Sequence, residues 1–412
     1  MNKRKIKKWT DYFLLSFLIA TTGFPFFYSD IEFVILGFLI SFFVFLKRNL
    51  KYNLNFILVI ISFFIIESLQ ILYFNTFELL TFAGTYIRLG FAFFVARILS
   101  EKFFDYYFNI IYFFSVVSLI FFIPAIINPS IATFIVDNVA VIFKSPFASN
   151  TESIYKISPN IILYVFEKSL FDFQRNSGPF WEPGAFSIFI VLALLFNFVK
   201  EHKIVTFKNI VLILVVFSTT STSGYIALFL LIVFFTVFNK KVKTSKYAFL
   251  LILMYGASLA YTQIEFLGKK AEEDIELASS TTTSRFGSAL VDMNHFYENP
   301  VIGYGRGKNR YGGKEVLFFS VDQHRNNGVT QLLVTYGIYI FCLYFFIYYK
   351  NLKKFMKYND FNDKFAFASL LVIFILGFSQ GIFTRPFFYS LLFLVIPSKI
   401  NKRIFNAIQG YK

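Results

Sequence analysis

Apolar runs follow one another along most of the chain, each near the length that crosses a hydrocarbon layer and each set off from the next by a short cluster of lysine and arginine. A bilayer core about 30 Å thick takes about 20 helical residues. Backbone groups in lipid find no water, so an unbroken run of this kind must satisfy its hydrogen bonds within itself, as a helix does. Residues 54–74 (LNFILVIISFFIIESLQILYF) show the type. Composition excludes the soluble alternative: 57% of residues are hydrophobic and 16% charged, against about 45–50% and about 25% in soluble domains. The formal charge of +16 does not point to nucleic acid, because the basic residues lie between apolar runs and form no stripe interleaved with stacking aromatics. The single cysteine, Cys342, sits inside an apolar run, which leaves no intrachain disulfide and no thiolate metal cluster.

The fold class expected is an all-α polytopic membrane protein, one integral membrane domain over residues 1–412 with about twelve transmembrane helices. These are expected near residues 11–28, 31–47, 54–74, 83–99, 107–127, 183–199, 209–220, 223–238, 247–262, 329–349, 364–382 and 386–398. The basic residues at the start, Lys3 to Lys8, precede an apolar run with no small-residue cleavage site, so the first run is expected to be retained as a span. With both termini in the cytoplasm, the inner segments hold 26 of the 40 basic residues, as the positive-inside rule requires. Residues 209–238 test the count. Lysines flank them on both sides, Lys203 and Lys208 before and Lys240 and Lys241 after, and both flanks belong on one face. Parity therefore calls for two short helices meeting at residues 219–224 (TTSTSG), either a broken hairpin bordering a cavity or a Ser/Thr packing site.

Two long segments, 128–182 and 263–328, fall outside by the same parity. Segments of this length usually carry function. Ile161–Phe166 with Leu170 and Phe171 is expected to form a helix lying in the interface, and residues 284–296 an amphipathic helix ended by Asn299 and Pro300.

Residues that could carry chemistry gather in these segments. In 175–184 (RNSGPFWEPG), Arg175 offers a planar fork of donors that suits phosphate, or anchors a lipid head group. Glu182 before Pro183 is either a helix start or a site carboxylate. Gly178 and the glycines of 300–307 (PVIGYGRG), Gly303 and Gly305 among them, make turns or let backbone approach a ligand; Arg306 lies between them. Arg285 heads the amphipathic helix. His324, followed by Arg325, precedes the tenth span; imidazole titrates near neutrality and serves as a general base, or as an ordinary interfacial polar group. Arg88 lies inside the fourth span, where a charge is costly unless it snorkels, and Gln380 lies near Arg385 at the end of the eleventh. The outer segments show no His/Asp/Glu spacing like the known metal-ligand sets.

Residues 175–184, 219–224, Arg285 with 300–307, and 324–337 resemble, in order and spacing, the O-antigen polymerase and O-antigen ligase family. The resemblance spans about 175–340. Where relatives often carry a Ser-Arg pair, the hairpin here reads Thr-Thr-Ser-Thr-Ser-Gly. The resemblance implies a glycosyltransferase C-like fold in the bacterial inner membrane, with the active site periplasmic. It implies an enzyme that needs no metal or cofactor and transfers a sugar with inversion from undecaprenyl pyrophosphate to a hydroxyl of an acceptor glycan. The donor is an undecaprenyl-pyrophosphate-linked oligosaccharide, and a chain-length regulator and a flippase are the further partners expected, beside membrane lipids. On this reading Arg175, Arg285, Arg88, Arg306 and Arg325 meet pyrophosphate or substrate with Gly178, Gly303 and Gly305, His324 is the base, and Glu182 orients an arginine or binds sugar. The Glu-Pro-Gly after Arg175 looks more like polymerases; a ligase acting on lipid A-core or protein is the alternative. A transporter or flippase would also use many helices, but shows repeats and midplane charges that this chain does not display.

Overall fold

The computed structural model describes residues 3–28, 31–143, 161–166, 175–239, 285–306 and 327–397. Among the described residues the chain is helical, with no strand. The first half holds α1 (Lys3–Gly23), α2 (Pro25–Tyr28), α3 (Ile31–Lys47), α4 (Leu54–Phe74), α5 (Leu79–Leu99), α6 (Phe103–Ile127) and α7 (Pro129–Phe134). The second holds α8 (Pro183–Glu201), α9 (Phe207–Ser218), α10 (Thr222–Phe238), α11 (Arg285–Glu298), α12 (Gly328–Tyr358), α13 (Phe365–Phe378) and α14 (Pro386–Ser390). Among the described residues, four helical stretches are long and apolar enough to cross a membrane: α4, the run Leu79–Ile127 that contains α5 and α6, α8, and α12. The helices α9, α10 and α13 are apolar and shorter. The expected span at 247–262 lies outside the described residues.

At the centre is α8. Of its apolar window 94% is buried, and α6, α9, α10 and α13 pack around it. Helix ends collect at two poles. At one pole Lys200 meets Asp105 at 2.5 Å and Arg48 meets Asp11 at 2.7 Å, and Asn239 donates to the His202 carbonyl at 3.2 Å. The opposite pole collects the end of α1, the starts of α5, α8 and α12, and the turn between α9 and α10. The 209–238 run is thus the hairpin that the flanking lysines required. Thr220 turns the chain with φ +46°, and Ser221 caps α10 by accepting from the Gly224 amide at 3.3 Å.

The last expected helix is discontinuous. After α13 the chain descends without helical hydrogen bonding before α14 and the short turn Leu391–Phe393. Its orphaned carbonyls are met by α12: Tyr344 donates to Phe383 O at 2.9 Å, and Asn351 to Leu391 O and Leu392 O at 2.9 and 3.0 Å. Broken backbone inside an apolar bundle persists where side chains supply the missing partners in this way. A second break lies in α12 itself, where Gly337 takes φ +73°. Residues 300–305 close it, with Tyr304 N donating to Val334 O and Gly305 N to Thr335 O, both at 2.8 Å, and Ile338 N to Pro300 O at 2.9 Å.

A second expectation is overturned. Ile161–Phe166 is not helical: Ile162 takes φ +64° and Val165 N donates to Gly178 O at 2.7 Å. Tyr164 and Phe166 pack on Phe121 and Phe122, so packing onto α6 and pairing with the following hook outweigh the local helical pattern. Residues 167–172 lie outside the described residues. The amphipathic helix of the second long segment is present as α11.

Candidate functional site

The hook 175–182 is built from its own sequence. Gly178 adopts φ +52°, and a Cβ there would lie 2.6 Å from the Phe186 ring, a conformation and an approach that glycine alone takes without strain. Asn176 Oδ1 accepts from Gly178 N at 3.0 Å, while its amide donates to Ser118 Oγ and Ser218 Oγ at 3.0 and 2.9 Å. Arg175 is placed on the hairpin apex, Nε to Thr220 Oγ1 at 2.7 Å and Nη2 to the Thr220 carbonyl at 3.2 Å. Part of its donor fork is therefore engaged with protein. Pro183 starts α8, and Glu182 precedes it in an extended conformation without capping the helix. The Glu182 carboxylate instead accepts from Gln380. Ser187, Ser221 and Ser223 form a hydroxyl chain beside it, with steps of 3.3 and 3.2 Å.

Arg385 lies in the descending strap that follows Gln380. Its guanidinium stacks over Trp181 at 4.1 Å and donates to Gly381 O and Thr22 O at 3.1 and 2.8 Å. Arg88, on α5, lies within electrostatic range of Arg306 and Arg385 and of Tyr336 and Tyr389. Among the described residues its guanidinium has no hydrogen bond. Arg306, delivered by the turn clasped to α12, faces the same two tyrosines and Glu67 of α4, and keeps a buried Nη1 without a hydrogen-bond partner. Burial works against the Arg306 charge, but the oxygens of Tyr336, Tyr389 and Glu67 outweigh it and hold its guanidinium above the ordinary arginine value. Three guanidinium groups with one carboxylate among them repel one another in a medium of low dielectric. The arrangement favours an anion, and arginine suits the oxygens of phosphate in particular.

The structure thus sets Arg88 within electrostatic range of both Arg306 and Arg385, while Glu182, on the hook, is bonded to Gln380 at the head of the strap. Gly303 and Gly305 bring backbone up to α12 rather than to an open cavity. Arg285 heads α11, whose next residue Phe286 packs on Phe378 at 5.1 Å. His324 and Arg325 lie outside the described residues. Sequence reasoning passed over Glu67, Gln70, Tyr336 and Tyr389. A signal existed for the first two: they stand one turn apart on one face of α4, and polar residues inside an apolar span are functional candidates.

Residues 208–345 match the family model described as O-antigen ligase. The matched third of the chain runs from the hairpin through α11 and the clasp into α12. It includes Arg285, Arg306 and His324, and it leaves out Glu67, Arg88, the 175–184 hook and Arg385. The match agrees with the O-antigen polymerase/ligase resemblance of the sequence motifs and does not divide polymerase from ligase. No curated protein matches the chain.

Proposed function

We propose that this chain is an O-antigen polymerase, joining undecaprenyl-pyrophosphate-linked repeat units on the outer face of the bacterial inner membrane. The observation that carries the proposal is that Arg306 and Arg385 lie near enough to Arg88 to act on its charge, at the pole opposite the lysines. A nucleotide-independent donor outside the cytoplasm brings its leaving group on a lipid. As the bond from the anomeric carbon to the pyrophosphate breaks, charge grows on the phosphate oxygens, and fixed guanidinium groups stabilise that charge more in the transition state than in the ground state. The acceptor hydroxyl attacks from the opposite face of the ring with inversion and gives its proton to His324. The Glu182 carboxylate orients the strap that carries Arg385 through Gln380. Access from the bilayer agrees with the apolar side chains exposed at the facing ends of α4 and α5, Leu72, Leu79 and Leu80 among them.

A ligase that passes finished polymer to lipid A-core or protein is the second reading, favoured by the description of the matched family. The glycans of a strain deleted for the gene decide between the two. A single repeat unit on the surface lipid supports the polymerase; polymer retained on the carrier supports the ligase. Complementation with His324→Ala or Arg285→Ala is expected to leave the ladder absent while the protein remains in the membrane. Wild-type polymer from either variant removes that residue from the mechanism.

A further inference from the structure

A glutamine inside an apolar span is costly unless its amide is hydrogen-bonded, and Gln70, near the end of α4, is 1% exposed. Its Nε2 donates to Thr335 O at 2.8 Å and to Ile302 O, so one side-chain atom of α4 joins the clasp to α12. Thr335 O lies at the break in α12 and also accepts from Gly305 N at 2.8 Å. Both residues that Gln70 holds are close in sequence to groups of the site. Ile302 precedes Arg306 by four residues within the clasp, and Thr335 is followed at once by Tyr336, which is wholly buried. Tyr336 lies within electrostatic range of Arg306, as does Glu67, one turn before Gln70 on the same face of α4.

Two carbonyl oxygens that face one atom call for a group with two N–H donors, and a carboxamide nitrogen has them. Glutamate has the same length but, when ionised, only accepts, and asparagine is one methylene shorter. The amides of Tyr304 and Gly305 tie the clasp to α12. Gln70 ties it to α4 as well, and α4 packs on α5, the helix that carries Arg88. We infer that Gln70 is a positioning residue of the arginine group: by fastening Ile302 and Thr335 to α4, it fixes Arg306 relative to Tyr336 and Arg88. The inference rests on the part that Arg306 plays at the pyrophosphate in the reading proposed above. A group that acts on the transition state is sensitive to placement, and a shift of about 1 Å costs on the order of a hundredfold in rate. An effect confined to the transition state lowers kcat and leaves KM nearly as it was.

The test measures kcat and KM of purified full-length protein in nanodiscs, with the lipid-linked repeat unit that accumulates in a strain deleted for the gene as substrate. Gln70→Glu, which puts an acceptor where the donors were, and Gln70→Met, which removes them without adding charge, are each expected to lower kcat by about tenfold to a hundredfold, with KM changed by less than about threefold. Gln70→Asn, the mildest change, is expected to fall between these and wild type, and keeps the test sound should the other two fold poorly. In an Arg306→Ala background the same substitutions are expected to lower kcat no further, because the side chain they place is gone. A residue that merely supports the bundle would multiply its effect with that of Arg306→Ala. Where that background makes too little product to measure, amide exchange of residues 300–306 decides, and Gln70→Met is expected to speed it. Wild-type kcat in all three variants, losses that multiply with Arg306→Ala, or wild-type exchange in Gln70→Met overturns the positioning role and leaves the donor reading standing. No product from wild type, or full activity of Arg306→Ala, overturns the donor reading as it concerns Arg306, and the inference with it.

Discussion

Replacing Gly303 by alanine tests the clasp that delivers Arg306. Gly303 adopts φ +67°, and a Cβ built there meets Gly337 N, Thr335 C and Thr335 O, each at 2.7 Å. These are backbone atoms, so no side chain can swing aside. The left-handed conformation costs a non-glycine residue roughly 1–2 kcal/mol. Displacing the turn removes the bonds from Tyr304 N to Val334 O and from Gly305 N to Thr335 O, each a net contribution of about 1 kcal/mol, and more where a buried carbonyl is left unpaired. The local cost is thus about 3–6 kcal/mol, enough to open the clasp without unfolding the bundle around α8. Hydrogen exchange of peptides covering 300–306 and 334–338 is the direct assay: Gly303→Ala should exchange much faster there while α8 stays protected, and glycan synthesis should fall with the loss of Arg306 from the site. Gly381→Ala is the control, because its new methyl meets chiefly the movable end of Gln331. Wild-type protection in Gly303→Ala would refute the clasp.

Three further outcomes are expected. Arg385→Lys should lower activity by about tenfold or more at unchanged expression, since an ammonium cannot both stack flat on Trp181 and donate in two directions; full activity in a glycan synthesis assay would reduce Arg385 to a generic charge. Asn176→Leu, which leaves the Ser118 and Ser218 hydroxyls without their buried donor, should destabilise the hook by about 2–4 kcal/mol, read as a lowered melting temperature in detergent. In a Cys342→Ser background, Arg285→Cys should react with a membrane-impermeant maleimide from outside the cell and Lys203→Cys only after permeabilisation; labelling of both from the same side would invalidate the two-pole topology.

Much of the architecture was legible because it follows from local physics. Apolar runs long enough for lipid become helices, and α3 and α4 begin and end where the runs at 31–47 and 54–74 do. Charge parity alone divided 209–238 into a hairpin. The 175–184 hook was legible as a special segment because Gly178 and Pro183 carry backbone constraints of their own. Local pattern misled at Ile161–Phe166, where the apolar spacing of a helix was claimed instead by packing on α6, and at 386–398, where α12 supplies the hydrogen bonds that a helix would have made for itself.

By itself the sequence determined that this chain is a bundle of membrane helices, where most of them run, and that its polar residues concentrate away from its lysines. Only the tertiary structure decided which of those polar residues meet. Glu67, Arg88, Arg306 and Arg385 are widely separated along the chain, and no periodicity relates them. They converge because two breaks, at Gly337 and after α13, let backbone enter the bundle where intact helices would have excluded it. The partners that make those breaks tolerable, Gln70, Tyr344 and Asn351, come from helices distant in sequence, so the site exists only once the helices have packed.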